Sequence, residues 1–120
     1  MRRIALPTLF ALAATSVFAQ DPHAPEQCAT GPVEKTYGGA PWLVASCSDG
    51  KSLVFVAKEG GKAYPFEFDL TFTGDGYDLA GRGKGDRKYT DAAYADLQNL
   101  SAKDVLQLLN ETKGLTAKKN

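Results

Sequence analysis

Asp49-Gly50 constrains this chain more than any other pair of residues. It sits between two apolar runs, residues 42–48 and 52–58, and Asp-Gly is among the strongest hairpin signals because glycine readily takes a positive φ. A two-residue type I′ turn there sets Cys47 opposite Ser52, Ala45 opposite Val54 and Leu43 opposite Val56 on one face. The other face then carries Ser46/Leu53, Val44/Phe55 and Trp42/Ala57. Both faces are apolar, so something must cover each side.

A second Asp-Gly pair follows. Glu59-Gly60-Gly61-Lys62 makes a turn, and residues 66–73 then alternate strictly, with Phe66, Phe68, Leu70 and Phe72 on one side. Asp75-Gly76 joins this strand to residues 77–85. A two-residue turn there sets Phe72 against Leu79 and places Leu70, Phe68 and Phe66 over Gly81, Gly83 and Gly85. On the outer face it pairs Asp69 with Arg82 and Glu67 with Lys84. Residues 33–37 add a short strand ahead of Gly38-Gly39.

The period changes after residue 89. Thr90 can cap a helix over residues 91–99, with Ala93, Tyr94 and Leu97 on one side. Ser101 caps a second in an S-x-x-D arrangement completed by Asp104. Leu100 and Val105 are spaced as a hydrophobic staple, and Gly114 supplies the stop. The expected fold is therefore α+β: an antiparallel sheet of four to five strands built from two Asp-Gly hairpins, with two C-terminal helices packed on one face.

The start of the chain addresses the protein. Arg2 and Arg3 precede an apolar run that ends at Val17-Phe18-Ala19, the pattern of a bacterial signal peptide over residues 1–19, cleaved after Ala19. Residues 20–27, rich in proline, read as a mobile leader, residues 28–116 as a single domain, and residues 117–120 as a frayed tail. Export to the periplasm or the medium favours oxidation, so the isolated pair Cys28 and Cys47 reads as one structural disulfide. No cysteine directly follows the signal to carry a lipid, and no second apolar segment is long enough for a membrane anchor.

Charge and composition exclude several functions. The full chain has 14 basic and 14 acidic residues, and loss of Arg2 and Arg3 leaves a slight acidic excess, which disfavours nucleic acid as a partner. His23 is the lone histidine and lies in the leader, so neither a Ser-His-Asp arrangement nor a histidine metal site is expected. No catalytic residue, cofactor or metal is assigned. The run from Gly81 to Lys88 alternates glycine with cations, but phosphate-binding glycines open a helix and these continue a strand. Its end, Arg87, Lys88 and Tyr89, falls at a sheet edge or loop where an acidic partner could reach it.

Trp42, Val44 and Phe55 form an apolar patch that is either core or a docking surface, with Tyr64 near a loop end able to extend it. The reading that follows is a small exported non-enzymatic binding protein that docks on another protein, as an inhibitor or immunity factor does in the cell envelope. The alternative is a small-molecule or envelope-polymer binding module. An uncovered apolar face also leaves room for a second copy, as a homodimer.

Overall fold

The computed structural model describes residues 27–114. The predicted signal, the leader up to residue 26 and the tail lie outside the described residues. Strands β1 (Thr30–Tyr37), β2 (Ala40–Ser46), β3 (Leu53–Ala57), β4 (Phe66–Phe72) and β5 (Tyr77–Gly83) precede helices α1 (Arg87–Gln98) and α2 (Ala102–Thr112). The strands form one antiparallel meander in the order β1-β2-β3-β4-β5. Among the described residues, no helix is long and apolar enough to cross a membrane.

The first hairpin keeps the expected register, with Trp42 opposite Ala57 and Val44 opposite Phe55. Its turn is wider than type I′. Cys47 accepts from the Gly50 N–H at 3.0 Å, and Gly50 takes a φ of 73°. Asp49 closes the loop with its side chain: Oδ1 accepts from the backbone N–H groups of Lys51 (2.9 Å) and Ser52 (2.8 Å), and Oδ2 accepts from the Ser52 hydroxyl (2.6 Å). Ser52 Oγ in turn accepts from the Phe72 N–H at 2.9 Å, tying the turn to β4.

This turn predicts an acid dependence. Burial opposes the Asp49 charge, but the bonds from Ser52 and from the Lys51 and Ser52 backbone outweigh it and hold the carboxyl below its usual value of 3.8. A depressed folded-state value contributes stability that is present above the unfolded value and lost as pH falls through the folded one. Asp104, lowered by the Ser101 backbone and side chain, acts in the same direction. Asp49→Asn should therefore flatten, without abolishing, the fall in urea midpoint between pH 6 and pH 3. An unchanged slope would mean that the Asp49 charge is not held by the turn.

The second hairpin departs from expectation. Phe72 pairs with Tyr77, Leu70 with Leu79, Phe68 with Gly81 and Phe66 with Gly83, a shift of two residues. Residues 73–76 form a four-residue loop in which Thr73 donates its N–H to the Gly76 carbonyl at 2.9 Å and Gly74, at φ 106°, supplies the left-handed position. A shift of two preserves the faces, so the glycines still lie under the aromatic rings: a Cβ on Gly81 would come within 2.6 Å of the Phe68 ring. The outer partner of Glu67 becomes Arg82 and not Lys84.

Phe55 pairs with Phe68, so the Trp42 face and the Phe66–Phe72 face are one face, and both helices cover it. Lys35 of β1 reaches Glu111 of α2 at 2.6 Å from the same side. Helix α1 starts a full turn before the predicted cap. Asp86 is the N-cap and accepts from the Lys88 N–H, whereas Thr90 is buried inside the helix. Helix α2 has the predicted capping box between Ser101 and Asp104, and Gly114 follows its end at φ 73°. Cys28 and Cys47 form the expected disulfide.

Candidate functional site

The residues expected to meet a partner are separated by the fold. Trp42, Val44 and Phe55 are each 0% exposed and lie beneath the helices, so as a docking patch they are corrected to core. They are buried because the pairing of β3 with β4 puts the Phe68 and Leu70 side chains on the same face, completing one layer for the helices to seal. Tyr64 is exposed in the loop before β4. The Lys84 and Gly85 N–H groups both bond the Pro65 carbonyl at 2.9 Å, which brings that loop beside the start of α1.

Arg87, Lys88 and Tyr89 form the first turn of α1, not a sheet edge or loop. Arg87 Nε lies 3.0 Å from Asp91 Oδ1, Lys88 Nζ stands over the Tyr89 ring, and Tyr89 packs half-buried against the core. This turn is capped and internally paired, so of the three only Arg87 and Lys88 are well exposed.

The face away from the helices carries Leu43, Ala45, Val54 and Val56 at its centre, by strict alternation with the core residues. Val56 is 37% exposed. Charges border this strip. Glu34 and Lys58 pair on one side at 2.8 Å, and on the other Arg82 reaches Asp69 Oδ2 at 2.7 Å and Glu67 Oε2 at 2.9 Å. The Glu67 carboxyl is raised above its usual range by hydrogen bonding with Asp69, by burial and by the Asp69 charge, against the pull of Arg82. A protonated Glu67 would supply the donor that the buried Asp69 Oδ1 lacks.

No known protein family, characterised protein or solved structure matches this chain.

Among the described residues, the helix side carries several recesses. A groove of about 250 Å³ runs between β1 and α2, lined by Lys35, Tyr37, Asp104 and Glu111. The Tyr37 phenol there is pushed up to about 12, first by burial and then by Glu111, Asp104 and Asp96. A cleft of about 440 Å³ opens between the ends of β4 and β5 and the α1–α2 connection, lined by Leu70, Leu79, Leu97, Leu100 and Val105. A slot of about 330 Å³ separates the β5 glycines from α1. Among the described residues, no cluster of histidine, cysteine or carboxylate side chains could hold a metal ion.

Sequence reasoning paired Leu43 with Val56 and Ala45 with Val54 but did not select them. The two faces of the hairpin look equally apolar, and only the helix placement distinguishes them. The signal for an earlier start to α1 was present in the spacing of Tyr89, Ala93 and Leu97, each four residues from the next.

Proposed function

We propose that this is a small exported, non-enzymatic binding protein that docks on another protein in the cell envelope, in an inhibitor-like or immunity-like role. The observation that carries the reading is the outer face of the sheet: an apolar strip of exposed Val56 with half-buried Leu43 and Val54 around a buried Ala45, on strands held from behind by the helices. The border supports a partner of a different kind over a second copy. Glu34, Glu67, Asp69 and Asp78 stand on this face against Lys58 and Arg82, so two copies face to face would oppose acid to acid. A partner with an apolar centre and a basic rim fits it.

A photo-crosslinking residue at position 56, in cells that export the protein, tests this. The expected product is one discrete adduct with another protein, absent when the same residue replaces the exposed helix residue Leu106. Val56→Lys should abolish capture from the neighbouring position 54 while changing stability by less than about 1 kcal/mol, because Val56 is already partly exposed. An adduct of two copies, or none, would overturn the reading.

A further inference from the structure

We propose that Asp75 is a site of spontaneous covalent modification, at which aspartate converts to isoaspartate while Asp49 is protected. The chain contains two Asp-Gly pairs, and they stand in the β2–β3 and β4–β5 connections. Glycine after aspartate favours this reaction because no side chain shields the backbone nitrogen that attacks. The Gly76 nitrogen adds to the Asp75 side-chain carbonyl carbon. A C–N bond forms and water leaves, its OH from the protonated carboxyl and its remaining hydrogen from the amide. The cyclic imide then takes up water at either carbonyl. Opening on one side restores aspartate, and opening on the other leaves isoaspartate, with the main chain running through the former side chain. Water is the sole co-reactant, and the mass of the protein is unchanged.

The two turns hold their carboxyls differently. Both Asp49 oxygens are engaged, Oδ1 by the Lys51 and Ser52 N–H groups at 2.9 and 2.8 Å and Oδ2 by the Ser52 hydroxyl at 2.6 Å. Ring closure would have to pull that carboxyl off its donors, which also hold it in the ionised form that resists attack. Asp75 accepts from the Thr73 hydroxyl at 3.4 Å, longer than an ordinary O–H···O bond. The same hydroxyl lies nearer the Gly76 carbonyl, at 3.1 Å, and its single hydrogen serves one acceptor at a time. Gly74 and Gly76 flank Asp75, and a Cβ on either would meet no heavy atom within 4 Å. The loop therefore has the space and the backbone freedom to bring nitrogen onto carboxyl. The added backbone atom would fall inside the span that the Thr73 N–H and the Gly76 carbonyl close at 2.9 Å, immediately before the edge strand β5. Modification therefore loosens the β4–β5 connection, and it does not depend on the proposed docking surface.

The test incubates the disulfide-bonded protein for weeks at neutral pH and body temperature, folded and in urea, and maps isoaspartate by electron-transfer fragmentation of its peptides. In the folded protein Asp75 should accumulate isoaspartate at least about tenfold faster than Asp49, the rate penalty of breaking one of the hydrogen bonds that hold the Asp49 carboxyl. In urea the two sites should react at similar rates, because neither turn persists. Gly76→Val places a shielding side chain where the fold has open space. It should slow the reaction at Asp75 and leave Asp49 unchanged. The inference is overturned if Asp75 gains no isoaspartate, if the two sites react alike in the folded protein, if their difference persists in urea, or if Gly76→Val reacts as the parent does.

Discussion

Trp42→Ala is expected to lower the stability of the fold by about 3–5 kcal/mol, the range for truncating a large buried aromatic side chain. Trp42 is 0% exposed, and its indole is the centre of the aromatic layer: ring centroids lie 5.3 Å from Phe68 and 6.4 Å from Phe66. Its Nε1 donates to the Tyr37 carbonyl at 3.1 Å, so truncation also leaves a part-buried acceptor at the end of β1 without its partner. Domains have total stabilities of about 5–15 kcal/mol, so a loss of this size removes from about a fifth of the fold's stability to all of it. Trp42→Phe keeps most of the apolar area and loses the hydrogen bond, and should cost about 1–3 kcal/mol. Urea unfolding followed by circular dichroism measures both, since the substitutions remove the chain's single tryptophan and its fluorescence. A loss below about 1 kcal/mol for the alanine variant would place the indole outside the core.

That expectation inverts the role that aromatic residues suggest on first inspection. A tryptophan on a two-sided apolar hairpin has the chemistry of an interface anchor and of a core residue alike, and the difference lies in where the helices land. Parity within each hairpin is local, since Asp49-Gly50 and the alternation from Phe66 to Phe72 each define which residues share a face. Parity between the hairpins depends on the loop from Lys58 to Pro65, which carries no period. The pairing of Phe55 with Phe68 is what unites the two faces, and it is a long-range contact. The Ser101–Asp104 capping box was legible because both its bonds close within one turn.

The misread elements share a cause. At Asp75-Gly76 the dipeptide invites a two-residue turn, but Thr73 can bond the Gly76 carbonyl through both its N–H and its hydroxyl, at 2.9 and 3.1 Å, and this favours the wider loop. At the start of α1, Asp86 and Thr90 are both good caps. Asp86 prevails because a helix begun there buries Thr90 and half-buries Tyr89 on the stripe that continues through Ala93 and Leu97. In each case a local preference had a near-equal competitor, and burial or an additional hydrogen bond decided between them. The slot between β5 and α1 is a product of that early start, since Arg87, Thr90 and Asp91 reach one stripe only when the helix includes them.

Reduction of the Cys28–Cys47 bond, or its replacement by Cys28→Ser with Cys47→Ser, should lower stability by about 3 kcal/mol. The two cysteines are 19 residues apart, and the loop they close contains all of β1 and β2. Opening it restores chain entropy to the unfolded state, which accounts for most of the effect in that model. The folded state should also loosen unevenly. Strand β1 is an edge strand whose register shifts between Thr30 and Val33, and its start is held by Cys28 and by the bond from the Ser48 N–H to the Gln27 carbonyl at 2.7 Å. Strands β3 and β4 are paired on both sides and owe nothing directly to the disulfide. Amide exchange should therefore accelerate first in β1 on reduction, ahead of β3 and β4. In a domain of this size the stability change corresponds to a fall in Tm of roughly 12–24 °C, measurable by calorimetry with and without reductant. Uniform acceleration across the sheet would assign the disulfide's effect to the unfolded state alone, and a Tm unchanged by reductant would show that β1 is anchored by its strand pairing and by the helices.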